Sequence, residues 1–211
     1  CEGQARIGKI DFQIAEIILG DVFFDSKINK KYLLSVLYHE FTHIVDRCLF
    51  FNEMKDEKQK RNLLFPYNEF HAAQVELTKM LELFYNPHKN VKLSTNIYDM
   101  DGSKTLKSFL EEQKNEFSLY SDFLDEHHSI GNIQSVIYII VYNIGYYMVC
   151  SKYNIENDLF IGTEKYPYIE ENIKNLKVLL LNDEPSEELC TKAHSIISET
   201  AKIIAQKYSL L

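Results

Sequence analysis

The pentapeptide His39-Glu40-Phe41-Thr42-His43 sets two imidazoles four residues apart with a carboxylate between them. On a helix, residues four apart share a face, so both imidazoles can reach one ion at about 2.0–2.1 Å from each nitrogen. Glu40 is turned about 100° from His39, which puts its carboxylate beside that ion rather than on it. There it can take a proton from a metal-bound water whose pKa has fallen toward about 7. Neutral imidazole binds Zn²⁺ without cancelling its charge, and a carboxylate is a base of suitable strength. The chemistry these residues can do is metal-assisted hydrolysis, with His39 and His43 as zinc ligands and Glu40 as general base. Two histidines merely packed on a core face would leave Glu40 semi-buried without a partner. The neighbours Val36, Leu37, Phe41, Thr42, Ile44 and Val45 are uncharged, as expected of a helix embedded in a core.

Such a site needs a third protein ligand. Asp46 lies three residues beyond His43 on the same helix and cannot easily swing back to the ion. Glu69, in Tyr67-Asn68-Glu69-Phe70-His71-Ala72-Ala73, is the preferred residue. Small side chains at Ala72 and Ala73 would let its helix approach the first closely. His71 is about 200° away from Glu69 around that helix, so one of the two can face the ion but hardly both. His71, Glu76 on the Glu69 face, and a ligand from the 50–60 segment stay open as alternatives. An oxyanion donor is sought among His127, His128, Tyr67 and Tyr38. Tyr138, Tyr142 and Tyr146, recurring every four residues, read as core packing.

The elements that must position these groups are mostly helical. Period-2 alternation is confined to Lys9–Ile14, followed by the apolar run Ile17–Leu19, and predicts one or two strands. From Asn29, a plausible cap, a helix is predicted through Tyr32–Arg47. Residues 53–61 are a solvated charge run, either an exposed helix turn or a mobile loop, and a second helix is predicted from Pro66 to Tyr85. Asn86-Pro87 and Asp101-Gly102 mark a connection. Helices follow around Leu106–Leu124, Val136–Cys150, Tyr168–Leu181 and Ser186–Tyr208, the last capped by Asp183 or Ser186. The 15-residue Val136–Cys150 run is shorter than the roughly 20 apolar residues of a span, so a buried helix is expected.

Composition bounds the rest. Two hundred and eleven residues at 45% apolar suffice for one good-sized core, and the net charge of −8 argues against a nucleic-acid partner. Four scattered cysteines without a CxxC pair read as reduced, buried thiols in a cytoplasmic protein, and no signal-peptide pattern opens the sequence.

HEFTH, followed 26 residues after its second His by Asn68-Glu69-x-x-Ala72, resembles the gluzincins, and more narrowly the ImmA/IrrE family of phage and mobile-element metallopeptidases. The resemblance covers about Ile7–Phe84. It implies a short sheet beside the active-site helix, zinc held by His39, His43 and Glu69, Glu40 as base, and a protein or peptide substrate. The expected fold is therefore α+β and mostly helical. Residues 1–100 would form a zincin-like catalytic part, and residues 101–211 a helical part packed on it as one unit. The expected activity is zinc-dependent peptide hydrolysis. The alternative is a metallopeptidase-like binding or regulatory protein that does not catalyse. Neither a nucleic acid nor a membrane is expected as a partner.

Overall fold

A computed structural model of the chain describes residues 3–7, 15–19, 30–51, 54–84, 92–94, 105–156, 164–182 and 184–211, the first two segments in backbone only. The HExxH segment lies on helix α1 (Lys30–Leu49), whose expected cap Asn29 falls outside the described residues. Its burial is one-sided. His39, Glu40, Thr42 and Asp46 face inward, whereas Phe41 and Val45 are each about half exposed. The uncharged flanks therefore overstate how deeply this helix is embedded.

Helix α2 (Glu57–Phe84) starts nine residues before the expected Pro66. The charge run supplies its first turn from Glu57. Asp56 Oδ1 accepts hydrogen bonds from the backbone N–H of Lys58 and Gln59 at 2.9 and 3.1 Å, satisfying donors that a helix start leaves free. Pro66 sits inside the helix and is buried. Its missing N–H costs a turn hydrogen bond, which packing of the ring in the core offsets.

Three of the remaining four helices start on a side-chain cap. Thr105 and Ser108 form a capping box at α3 (Leu106–Glu126). Ser129 caps α4 (Ile130–Lys152), and Ser186 rather than Asp183 caps α6 (Glu187–Lys207). Between them a 3₁₀ turn (Pro167–Ile169) leads into α5 (Glu170–Asn182). By length and composition α4 could cross a membrane, yet 67% of its most apolar window is buried inside this protein. It is the core helix. Gly145 explains how closely α4 meets α2: a Cβ there would lie 2.5 Å from Phe70 O and 2.8 Å from Ala73 Cβ. The small residue at Ala73 thus serves the approach of α4, where the sequence suggested α1.

Helix α2 packs against α1, α4 and α6, and the core it organises draws on both halves of the chain. Leu64 and Phe70 join Phe117, Ile137 and Ile197 in one cluster, while Leu77 and Met80 join Phe109, Tyr146 and Val149 in another.

The expected α+β class is corrected: the fold is helical. Of the residues described with their side chains, 83% are helical and none lies in a strand. What remains of the expected zincin-like sheet is a backbone hairpin, β1 (Gly3–Ile7) antiparallel to β2 (Ala15–Leu19), with Ala5 opposite Ile17. A two-stranded ribbon cannot bury a face by itself, and the helices close their core on one another. The alternating stretch around Phe12 and the turn signals at residues 86–87 and 101–102 lie outside the described residues.

Of the described thiols, Cys150 and Cys190 are buried, and burial pushes each up to about 12, so they are inert packing groups. Cys48 is exposed, against expectation.

Candidate metal centre

Helices α1 and α2 run antiparallel, as the polar pairs between them show. His39 meets Glu76, His43 meets Asn68, and Arg47 pairs with Glu57. The antiparallel register brings three ligand-type atoms to one point. His39 Nε2 lies 3.0 Å from His43 Nε2, and Glu69 Oε2 lies 3.8 Å from the first and 3.7 Å from the second. A tetrahedral ion with bonds of ~2.05 Å would separate its ligand atoms by about 3.3 Å. The observed triangle brackets that value. Among the described residues, His39, His43 and Glu69 are the group so assembled.

The outer nitrogens fix what the inner ones present. His39 Nδ1 is 3.1 Å from Glu76 Oε2, and His43 Nδ1 is 2.8 Å from Asn68 Oδ1. Both partners are acceptors, so each Nδ1 carries the proton and each neutral ring turns a lone pair inward at Nε2. Glu69 Oε2 adds a third, buried and without a hydrogen bond. With both rings in that neutral tautomer, the three lone pairs repel unless a proton or a metal cation sits among them.

Without a metal, a proton meets part of that need. Burial pulls His39 down, but Glu76, Glu69 and Glu40 outweigh it and hold its pKa above the usual imidazole value. Burial and the neighbouring His39 push His43 down to about 4. The pair therefore carries at most one positive charge, and it falls on His39. Burial pushes Glu69 up to about 7, partly countered by His39 and by the Tyr138 hydroxyl. The donor set of two imidazoles and one carboxylate suits Zn²⁺ and leaves a fourth position open, as catalytic zinc sites do.

The other proposed ligands are committed elsewhere. His71 Nδ1 donates to Asp46, 2.9 and 3.0 Å from its two carboxylate oxygens. Asp46 is 1% exposed and ties α1 to α2 from within. Replacing Asp46 by Ala is expected to cost about 2 kcal/mol, lowering the melting temperature by about 4–8 °C for a chain of this length. Zinc content should not change, because Asp46 touches no ligand atom of the cluster. Glu76 supports His39 from behind rather than joining the triangle. It also accepts a hydrogen bond from Tyr142, whose hydroxyl accepts one from Tyr146 at 3.1 Å. Such carboxylate–imidazole partners orient the ring and raise its basicity, so Glu76→Gln is expected to weaken zinc binding about 10–100-fold. Competition with a chromogenic chelator measures it; unchanged affinity would remove Glu76 from the site.

Glu40 is 8% exposed and lines a cavity of ≈ 520 Å³ together with His39, Glu76, Glu116, Tyr138 and Tyr142. The tyrosine stripe of α4 therefore forms a wall of this cavity, although its four-residue recurrence read as core. Tyr138 is held by burial, and by Glu69, Glu76, Glu40 and Glu116 around it, well above the usual phenol value. It stays a hydroxyl donor. The donors proposed from sequence sit elsewhere. Tyr67 packs on Phe50 and Phe70, and Tyr38 lies on the surface beneath Lys79. His127 stacks edge-on against Phe123 at the end of α3, with His128 bonded to Asp125 O nearby. A smaller cavity of ≈ 160 Å³ borders the His43 and Glu69 side and is lined by Arg47 and Arg61.

No protein-family model, no curated protein and no solved structure matches this chain.

Proposed function

We propose that the protein is a zinc-dependent peptidase of the gluzincin kind, with His39, His43 and Glu69 holding the ion and Glu40 serving as general base. One observation carries the reading: His39 Nε2, His43 Nε2 and Glu69 Oε2 converge, while each Nδ1 faces an acceptor on the outside, Glu76 for His39 and Asn68 for His43. Bound there, zinc would supply Lewis acidity, lowering the pKa of a water toward about 7 and polarising a carbonyl. Glu40 stands beside His39 on the cavity side of α1, where a proton taken from that water can be passed to the leaving amine. Glu76 and Asn68 hold the two imidazoles in the tautomer that offers Nε2. Tyr138, on the facing wall, presents the hydroxyl best placed to donate to an oxyanion. The ImmA/IrrE likeness is part of this proposal in its residues, not in its sheet.

Metal analysis of the purified protein is expected to find one zinc per chain. Removal by a chelator should abolish hydrolysis of a mixed peptide pool, and zinc addition should restore it. A chain that takes up no zinc, and melts at the same temperature with and without it, would sink the proposal.

A further inference from the structure

We propose that the ≈ 160 Å³ cavity on the Glu69 side of the metal centre is a subsite for a carboxylate group of the peptide substrate, with Arg61 and Arg47 as its cationic partners. This rests on the peptidase reading above and names its substrate class.

The cavity is lined by His43 and Glu69, two of the three residues assigned to the ion, so a group bound in it adjoins the scissile bond. Its wall is rich in donors. Arg61 comes from the second turn of α2, and its guanidinium makes no hydrogen bond or ion pair with a described residue. Arg47 comes from the last turn of α1, one turn beyond His43. Its side chain is 11% exposed and pairs with Glu57 through Nη2, while its Nε is buried without a hydrogen-bond partner. Asn68 Oδ1 accepts from His43 Nδ1, which leaves the amide N–H₂ as a further donor. Against these donors stands Glu69, the one carboxylate among the described lining residues, and it is committed to the ion. A buried guanidinium N–H without an acceptor costs free energy until one reaches it. A carboxylate is the acceptor whose two oxygens match the guanidinium fork.

Size narrows what enters. The cavity is smaller than the roughly 300 Å³ at which pockets take a whole small molecule, so it admits a terminal group rather than a bulky side chain. The rest of the residue that bears the carboxylate has room next to it. Arg61 also lines a cavity of ≈ 570 Å³ between α2, α4 and α6, with Phe65, Ile137 and Ile197 as its apolar wall. No Asp or Glu is among that cavity's described lining residues. Tyr138, whose hydroxyl bonds Glu69, lines it too, which ties this larger space to the ligand set.

Succinic acid monohydroxamate and its carboxamide analogue test this on the full-length zinc-loaded protein. Both carry the same zinc-chelating group, and the first sets its carboxylate two carbons beyond the hydroxamate carbonyl, as in the residue that follows a scissile carbonyl. Titration calorimetry is expected to show the carboxylate compound binding about 10-fold or more tightly than the carboxamide. Arg61→Gln should bring that ratio toward one, with zinc content and melting temperature measured alongside to confirm a retained fold. Cleavage of one peptide as free acid, as C-terminal amide, and as an amide carrying a single Glu then tells a C-terminal carboxylate from an acidic side chain as the source. Equal binding of the two hydroxamates, equal cleavage of the three peptides, or a ratio that Arg61→Gln leaves unchanged would overturn the carboxylate subsite while leaving the zinc site standing. A chain that holds no zinc and binds neither compound would overturn the peptidase reading and this inference with it.

Discussion

With Glu40 replaced by Gln, the chain is expected to keep one zinc per molecule and to hydrolyse peptides about 10²–10⁴-fold more slowly. Gln has the shape and hydrogen-bonding reach of Glu but cannot accept a proton at pH 7. Glu40 is outside the ligand triangle, so the substitution removes the base and leaves the ion. It lines the cavity at 8% exposure. Zinc content, melting temperature and hydrolysis measured on one preparation separate the roles. Loss of zinc would make Glu40 a ligand. Undiminished hydrolysis would place the base elsewhere. Intact zinc with no hydrolysis in either protein would leave a non-catalytic metal-binding chain.

Gly145→Ala is the second large effect, and two opposing terms decide its sign. In a helix interior, Ala is favoured over Gly by about 1 kcal/mol. Here the new methyl would lie 2.5 Å from Phe70 O and 2.8 Å from Ala73 Cβ. Neither atom is the end of a flexible side chain, so α4 must move away from α2, and overpacking of this kind costs about 1–3 kcal/mol or more. Sterics win by about 2 kcal/mol, which lowers the melting temperature by about 4–8 °C in a chain of this size. The same displacement carries Tyr138 and Tyr142 away from Glu69 and Glu76, so zinc affinity should fall as well. A variant as stable as the wild type would show that the approach of α2 and α4 is looser than this packing.

Parts of the candidate site were legible in the chain because they are local. An i, i+4 histidine pair and the Glu between them take their relative directions from the helix itself, whatever surrounds it. The cap at Ser186, one of two offered by the sequence, was equally local. The start of α2 stayed open because a solvated charge run fits an exposed helix turn and a loop equally, and the Asp56 cap decides for the helix from Glu57. The strand pattern near the N-terminus predicted a layer that the described fold does not build.

The sequence by itself determined that His39, Glu40 and His43 share one helical turn and that Glu69 and Glu76 share one face of the next helix. Their order along the metal site was decided by tertiary structure. Antiparallel packing of α1 on α2 puts Glu69 against both Nε2 atoms and leaves Glu76 behind His39, a choice set by register, which no spacing within either helix encodes. The wall opposite Glu40 was decided the same way. Tyr138, Tyr142 and Glu116 come from segments 60 or more residues downstream, and Gly145 lets α4 approach closely enough to bring its tyrosines to the cavity. Helical periodicity says only that a face will be covered; the packing of the whole bundle says by what.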